Sequence, residues 1–472
     1  MTTPRIVVVG AGITGLTAAY RLTKLMPQAS ITLVEADERL GGKIHSSPFA
    51  GLDGIDESAD AFLTRVPYAV DLAEELGLAT ELTSPAVAAA TVWWNGLHPI
   101  PEGLLLGVPT DVLKLARTKL LTWPGKLRAA LEPFLPATGV SSDCVGKIIR
   151  KRFGKQVHER LVDPLVGSIY AADTDRFSLA GVPQILDLAS KHRSLLLGAR
   201  KIRAKAAPAT GPIFATPLGG MAALTNALGT AVREARVDVR LGQAIATITA
   251  ASGDDARWRV HVAGGDTIDC DGVVLATPAR TTAPLLAIIS PTAATSLATF
   301  DHASVVMVTL AIAAHDWPRG LHKGSGYLVP KPVQKWVTAV SFASNKWAHW
   351  NPVDSDGNPA MVLRISLGRD GRDVTGEPDD ALLAAAIGEV GGHLGLELKP
   401  FEHRITRWPM SFPQYRPGHA ARVDAIEQAL ATDAPGIVLA GASYRGIGIP
   451  ACINQGNLAA QALTQLTTAV RD

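Results

Sequence analysis

The sequence predicts an α/β protein in which a nucleotide-binding domain is assembled from separated stretches of the chain, together with a mixed β-sheet domain and a helical insertion. Three observations support this prediction. The chain opens with an apolar strand, a glycine turn and a helix within residues 5–25. Between residues 100 and 210, aliphatic side chains recur with lysine and arginine at helical spacing. From residue 237 onward, the alternating and β-branched patterns of strands return.

The first elements follow from residue type. Residues 5–9 are apolar and β-branched after Arg5, which is typical of a strand buried in a parallel sheet. Residues 16–25 have helical spacing and end before Pro27, which cannot continue a helix. Residues 30–34 form a second strand, with Glu35 at its carboxyl end. We expect further helices at residues 112–121, 145–152, 185–190 and 452–466, and strand patterns at residues 237–248, 258–262, 272–276, 304–312, 337–341, 360–367 and 436–440.

Composition narrows the class of protein. A chain of 472 residues with 47% hydrophobic and 19% charged residues predicts a globular protein of two or three domains. The net charge of +2 argues against a nucleic-acid partner. Cys144, Cys270 and Cys452 are too widely spaced for a disulfide framework or a metal-ligand pair, so no metal site is expected. The strongest internal apolar run, residues 305–314, is about half the roughly 20 residues of a transmembrane helix. With no signal peptide either, we expect a cytoplasmic protein.

The glycine turn at residues 10–15 (GAGITG) has the spacing G-x-G-x-x-G. Gly10 permits a tight turn, Gly12 lets the backbone approach a pyrophosphate, and Gly15 allows the helix to pack closely on the strand. The helix N-terminus then offers free N–H groups to the phosphates. Glu35 follows Gly15 by 20 residues, where a carboxylate can accept the ribose hydroxyls. The motif therefore predicts a Rossmann-like domain that binds a dinucleotide.

A second glycine turn distinguishes between the dinucleotides. Arg39, Gly41, Gly42 and Lys43 follow Glu35 directly, and a simple nicotinamide site does not need such a turn. The arrangement resembles the extended N-terminal motif of the flavin amine oxidase superfamily, in which the arginine and the glycine pair continue along FAD. The expected cofactor is therefore FAD, bound in a discontinuous Rossmann-like FAD-binding domain.

A third glycine-rich turn lies near the C-terminus, at residues 439–450 (LAGASYRGIGIP). A strand that leads into such a turn and a helix can present backbone N–H groups to an anionic group. In a flavoprotein the target is the N1/O2 edge of the flavin, where negative charge develops on reduction. Two such turns at opposite ends of one chain predict a flavin site more specifically than either one alone.

This C-terminal turn also resembles the signature of the oxygen-dependent protoporphyrinogen and coproporphyrinogen oxidases. The resemblance runs in the same order along nearly the whole chain. It includes residues 58–65 (SADAFLTR), 93–101, 164–173 (PLVGSIYAAD), 218–221 (LGGM), 275–278 (LATP) and 408–419. It implies an FAD-binding domain formed by residues 1–75, 212–290 and 425–472, a mixed β-sheet substrate-binding domain formed by residues 76–99 and 291–424, and a helical domain at residues 100–211.

The resemblance also implies which residues contact FAD. The family often has Gly-Pro where this chain has Ser58 and Ala59, so the backbone contacts there depart from the family pattern. The implied contacts are Gly10, Ala11, Gly12, Ile13, Thr14, Gly15, Glu35, Ala36, Arg39, Gly42, Lys43, Glu57, Ser58, Ala59, Asp60, Ile245, Trp408, Ala442, Ile447, Gly448 and Ile449.

The family reaction removes six hydrogens from a porphyrinogen, and dioxygen reoxidises the flavin to hydrogen peroxide. The substrates carry two or four propionates, so arginine and lysine are the expected partners. Arg65 is the first candidate for substrate binding, followed by Tyr170, Arg407 and Tyr415, with Lys43 and Arg445 also considered. No motif defines an acid–base pair, so no catalytic residue is assigned.

The leading hypothesis is a coproporphyrinogen III oxidase of haem biosynthesis, because the absence of targeting and transmembrane segments is typical of the bacterial branch of the family. The alternatives are a protoporphyrinogen IX oxidase, an amine oxidase, and a flavin-free binding module of the Rab-escort type. The basic and apolar segment at residues 104–127 allows at most weak peripheral contact with a membrane.

Overall fold

A computed structural model describes residues 3–136, 143–205, 211–252 and 256–469. The strands of these residues are β1 Arg5–Val9, β2 Ser30–Val34, β3 Ser46–Phe49, β4 Leu52–Asp56, β5 Phe62–Leu63, β6 Leu82–Thr83, β7 Ala90–Trp93, β8 Leu97–Pro99, β9 Leu104–Leu105, β10 Val108–Pro109, β11 Phe214–Pro217, β12 Asp238–Arg240, β13 Ile245–Ala250, β14 Trp258–Val262, β15 Thr267–Cys270, β16 Gly272–Leu275, β17 His302–Ala313, β18 Gly326–Leu328, β19 Val337–Phe342, β20 Ala360–Leu367, β21 Pro400–Pro413 and β22 Ile437–Leu439.

The helices of the same residues connect these strands. They are α1 Ile13–Leu25, α2 Tyr68–Glu75, α3 Val112–Arg117, α4 Trp123–Ala130, α5 Val145–Phe153, α6 Lys155–Val157, α7 Asp163–Tyr170, α8 Pro183–Lys191, α9 Leu195–Lys205, α10 Ala222–Glu234, α11 Ala279–Leu285, α12 Pro291–Ala298, α13 Ala343–Lys346, α14 Asp379–Leu394, α15 His419–Asp433 and α16 Ile449–Ala469. In the described part of the chain, none of them combines the length and apolar character needed to cross a bilayer.

A five-stranded parallel sheet in the order β12-β2-β1-β16-β22 contains the predicted N-terminal strands. Side chains of β1 alternate between its two faces. Ile6 and Val8 pack with α1, α10 and α16, whereas Val7 and Val9 pack with α11, α12 and α15. The continuous apolar run of β1 thus reflects burial on both faces of the sheet.

The second large sheet is mixed and has seven strands, in the order β21-β17-β20-β19-β18-β7-β8. Its neighbours are antiparallel except for the parallel pair β18–β7. On β17, Val306 and Val308 pack in the core beneath α14, whereas Val305 and Met307 lie on the opposite face. The alternation of β17 therefore separates a closed core from a surface that is open to a cavity.

Helices α3–α9 form an insertion with its own apolar core. Inside it, the fully buried Arg152 donates from Nε to Glu132 Oε1 at 2.6 Å, and Glu132 also accepts from the backbone N–H of Leu195. On its outer face, Trp123 and Leu127 of α4 are exposed. Contact of this face with a membrane stays a prediction.

The α/β fold class with a mixed sheet and a helical insertion is confirmed, and β1, β2, β14 and β20 have the predicted bounds. The prediction of a single alternating strand pattern at residues 237–248 is wrong. A turn at Gly242, with φ of +66°, divides it into β12 and β13, which join different sheets. The 14-residue strand β21 was not predicted, and the domain boundaries stay a prediction.

Asp56 is fully buried at the end of β4, where Oδ1 accepts hydrogen bonds from Ser46 Oγ at 2.5 Å and the N–H of Met221 at 2.8 Å. Burial raises the pKa of Asp56 from 3.8 to about 6. The folded state therefore holds this proton more tightly than the unfolded state, and its stability falls as pH rises between these two values. Converted at about 1.4 kcal/mol per pH unit, this loss is about 3 kcal/mol.

Asp56→Asn removes this titration, so we expect its melting temperature to rise relative to wild type as pH increases from 4 to 7. Thermal unfolding at several pH values measures the difference. Asp53→Asn is the matched control, because Asp53 lies on the same strand but is exposed. Parallel curves for wild type and Asp56→Asn would contradict the prediction.

Candidate functional site

A cavity of about 870 Å³ lies between the turns of the five-stranded sheet and the open face of the seven-stranded sheet. Its volume is in the range of small-molecule and cofactor sites. The part that we name the glycine half is lined by Gly10, Gly12, Glu35, Gly42, Ala276 and Gly441, among others. The part that we name the sheet half is lined by residues of α7, β17, β19 and β20, including Gly167, Ile169, Val305, Met307, Ala339 and Ser366.

The loop between β1 and α1 leaves room for a ligand. A Cβ atom at Gly12 would meet nothing within 4 Å, and Gly12 lines the cavity. Gly12 is also the N-cap of α1 and makes no side-chain capping bond. The first N–H groups of α1 therefore have no acceptor within the helix and are available to an anion. These features fit the pyrophosphate of a dinucleotide.

Glu35 is oriented by its own surroundings. Its Oε2 accepts from the N–H of Ala11 at 2.6 Å, and its Oε1 accepts from the N–H of Asp37 at 3.0 Å. Each carboxylate oxygen has a further lone pair, and Glu35 lines the cavity. The carboxylate is therefore held ready to accept the hydroxyls of a ribose.

The side chain of Arg39 stabilises the second glycine turn. Its guanidinium donates to the carbonyl of Gly42 at 2.7 Å and to the carbonyls of Leu40 and Ile44 at 3.3 and 3.4 Å. Lys43 lines the cavity and donates from Nζ to the carbonyl of Ser411. Burial lowers the pKa of Lys43 to about 8. Arg39 thus shapes the turn and still lines the cavity.

The segment at residues 57–60 divides between two roles. Ser58 and Ala59 line the cavity, whereas the side chains of Glu57 and Asp60 bond elsewhere. Glu57 accepts from Thr406 Oγ1 at 2.8 Å, and Asp60 pairs with Lys346 Nζ at 2.9 Å. Arg364 also pairs with Asp60 and donates to the carbonyl of Ser58. Burial alone would raise the pKa of Asp60, but Lys346 and Arg364 hold it well below its usual range. These charged side chains therefore hold the backbone of Ser58 and Ala59 in place.

Most of the residues that the family resemblance implies as FAD contacts line the cavity. Those that line it are Gly10, Gly12, Ile13, Thr14, Glu35, Ala36, Arg39, Gly42, Lys43, Ser58, Ala59, Ile245, Trp408, Ala442, Ile447 and Ile449. Ala11, Gly15, Glu57, Asp60 and Gly448 are outside the lining. Gly15 has a packing role instead, because a Cβ there would lie 1.8 Å from the carbonyl oxygen of Gly10.

The four residues predicted to bind substrate are not brought to the cavity lining. Arg65 is exposed. Arg407 pairs with Asp379 at 2.5 Å, so its charge is already neutralised by a neighbour. The ring of Tyr170 packs against a phenylalanine, and the hydroxyl of Tyr415 bonds to the C-terminal glycine turn. Arg445, considered with them, forms ion pairs on α15.

The cavity lining includes charged residues that the sequence patterns did not indicate. Arg280 is the second residue of α11, and Arg369 follows β20 after one intervening residue, Gly368. Arg369 donates to both carboxylate oxygens of Asp163 at 3.1 Å and to Gln334 Oε1 at 3.4 Å. Burial would raise the pKa of Asp163, but Arg369 and a hydrogen bond from Thr174 hold it below its usual range. A charged residue one position beyond the glycine that ends a strand was the signal for Arg369.

In this fold, one cavity reaches from a glycine loop of the dinucleotide-binding type to a second, largely antiparallel sheet. The fold and the cavity together define this class of dinucleotide-binding protein. A family model described as "Flavin containing amine oxidoreductase" matches residues 13–464. The chain therefore belongs to the family of flavin-containing amine oxidoreductases. Its cofactor is a flavin.

Several relatives are similar over almost the whole chain. The coproporphyrinogen III oxidase of Bacillus subtilis (strain 168) is 32% identical and covers 98% of each chain. That of Mycobacterium leprae (strain TN) is 32% identical, over 98% of this chain and 99% of that protein. A crystal structure from Exiguobacterium sp. 255-15, assigned as a protoporphyrinogen oxidase, has a TM-score of 0.85 at 30% identity, and covers 98% of this chain and 99% of that one.

Gly12→Ala tests the glycine half of the cavity. Gly12 has φ of −70°, which alanine adopts without strain, and the added methyl group would occupy the space next to the loop. We expect the flavin cofactor to bind at least about tenfold more weakly because the backbone could no longer approach its phosphate groups, a loss of about 1.4 kcal/mol. Fluorescence titration of the flavin-free protein measures this affinity.

Gly388→Ala is the matched control, because Gly388 lies in α14 outside the cavity lining and also has open space at its Cβ. The melting temperature of flavin-free Gly12→Ala should equal that of flavin-free wild type. Wild-type affinity in Gly12→Ala would show that the loop does not hold the cofactor.

Proposed function

We propose that this protein is an FAD-dependent oxidase that converts coproporphyrinogen III to coproporphyrin III in haem biosynthesis. The observation that carries the proposal is one continuous cavity that reaches from the glycine loop, past the turn at residues 441–449, to the sheet half. The relatives named coproporphyrinogen III oxidase match nearly the whole chain, which supports this substrate over the alternatives.

The overall reaction removes six hydrogens from the macrocycle. One coproporphyrinogen III and three dioxygen molecules give one coproporphyrin III and three hydrogen peroxide molecules, which balances six electrons and six protons. When bound, FAD supplies the two-electron chemistry that links the macrocycle to dioxygen. The protein then has to hold the cofactor, orient the macrocycle and limit access of water.

The glycine half holds the cofactor. The N-terminus of α1 and the open face of Gly12 would receive the pyrophosphate, and Glu35 would accept the ribose hydroxyls. The turn that contributes Ile447 and Ile449 to the lining would meet the ring edge of the bound flavin. This arrangement supports FAD as the particular flavin, because the site has groups suited to both a pyrophosphate and a ribose.

The sheet half orients the macrocycle. Ile169, Val305, Met307 and Ala339 give it apolar walls that suit the face of a tetrapyrrole and exclude water. The pyrrole N–H protons can leave by tautomerisation, so we assign no protein base. The buried ion pair of Arg369 with Asp163 connects α7 to the segment after β20, two elements that line this half.

The substrate assignment is tested by steady-state kinetics with both porphyrinogens. We expect a higher kcat/KM for coproporphyrinogen III than for protoporphyrinogen IX, with dioxygen consumed and hydrogen peroxide formed in equal amounts. The increase in porphyrin fluorescence measures both rates. A clear preference for the dipropionate substrate would instead identify the protein as a protoporphyrinogen IX oxidase.

A separate prediction concerns how FAD is held. Cys452 lines the cavity beside the C-terminal turn, and burial raises the pKa of its thiol to about 11. A thiol that stays protonated is a poor nucleophile, so we expect FAD to be bound noncovalently. Acid precipitation should release all of the flavin into the supernatant, as measured by absorbance. Flavin retained in the pellet would favour the amine oxidase alternative.

A further inference from the structure

The hydroxyl of Tyr415 joins both ends of the C-terminal glycine turn. It donates to the carbonyl of Ala442 at 2.8 Å and accepts from the N–H of Gly446 at 2.7 Å. Tyr415 is 3% exposed, whereas Ala442 and Gly446 are half-buried, so the hydroxyl is the buried side of both bonds. A single hydroxyl therefore fixes the distance between two backbone groups that lie four residues apart.

The ring of Tyr415 is itself held in place by packing. It stacks on His419 with a centroid distance of 3.9 Å and an interplanar angle of 10°, and it lies parallel to Phe177 at 6.0 Å. The carbonyl of Tyr415 accepts from the N–H of Ser178 at 2.7 Å. Phe177 and Ser178 belong to the helical insertion, so the hydroxyl is placed by a part of the molecule outside the five-stranded sheet.

The turn that Tyr415 holds leads directly to the cavity. Ile447 and Ile449 line it, and α16 begins at Ile449. The first N–H groups of a helix have no acceptor within the helix, so the direction in which they point depends on the turn that precedes them. Gln455 supports the same turn from α16, since its Oε1 accepts from the N–H of Gly441 at 3.2 Å.

We propose that Tyr415 is a positioning residue for the cofactor: its hydroxyl sets the turn at residues 441–446 so that the backbone N–H groups that follow meet the ring edge of the flavin. This inference rests on the proposed function, because it requires FAD in the cavity. It assigns to Tyr415 a role different from the substrate contact expected from sequence. Negative charge develops at this ring edge on reduction, so the reduced cofactor depends more on these N–H groups than the oxidised one.

Tyr415→Phe keeps the ring and its packing but removes both hydrogen bonds. We expect oxidised FAD to bind about tenfold more weakly, because the hydroxyl no longer holds the turn in the conformation that meets the cofactor. The reduced form should lose about a further tenfold, since hydrogen bonds to a charged group are stronger. For a two-electron couple, that tenfold difference lowers the reduction potential by about 30 mV. Fluorescence titration and dye-equilibrated reduction measure the two quantities.

Wild type and one matched variant, Tyr327→Phe, are the controls for the loss of a buried tyrosine hydroxyl. Tyr327 lies in the seven-stranded sheet, with its hydroxyl 3.0 Å from His393 Nδ1. Tyr327→Phe should lower the melting temperature to an extent similar to Tyr415→Phe and leave the potential of the bound flavin unchanged.

The outcomes separate this inference from the proposed function. A lower melting temperature in Tyr415→Phe, with potential and affinity equal to those of the controls, would reduce Tyr415 to a structural role and overturn the inference alone. Wild-type protein that takes up no FAD would overturn the proposed function and this inference together. Wild-type protein that takes up FAD but oxidises neither porphyrinogen would overturn only the proposed substrate.

Discussion

The close contact between α1 and the loop that precedes it determines where a cofactor can sit. A Cβ atom at Gly15 would lie 1.8 Å from the carbonyl oxygen of Gly10, so only glycine lets the helix approach the end of β1 this closely. This approach places the N-terminus of α1 against the cavity. Glu35, the second glycine turn and the turn at residues 441–449 are all arranged around that point.

The seven-stranded sheet and the helical insertion are joined to each other by buried or half-buried charges. Arg369 pairs with Asp163 of α7 at 3.1 Å. The buried carboxylate of Asp370 pairs with Arg176 of the insertion at 3.5 Å. A buried ion pair costs desolvation free energy, and breaking one partner leaves an uncompensated charge. These pairs therefore specify how the walls of the sheet half meet, whereas the apolar cores provide most of the stabilisation.

How far the sequence predicts the structure depends on how local the cause of each element is. Strands β1, β2, β16 and β22 of the parallel sheet were predicted, because burial on both faces produces continuous apolar runs. Strand β21 was not, since Glu402 and Arg404 interrupt its pattern. Their partners lie about 350 residues earlier in the β3–β4 hairpin, where Glu402 accepts from the N–H of Ala50 and Arg404 donates to Ser47 Oγ. No local pattern reports a partner that distant.

The sequence by itself determined the dinucleotide loop, the carboxylate at the end of β2, the two further glycine turns and the order of the main elements. Each depends on backbone conformation or on hydrophobic period, which neighbouring residues set. Only the tertiary structure decided which side chains with the chemistry of a substrate partner reach the cavity. Arg407 and Tyr415 have the chemistry of a substrate partner but bond elsewhere, whereas Arg369 lines the cavity through a pair with a residue 206 positions away. Such pairing depends on packing between distant segments, and it produces no periodic pattern in the sequence.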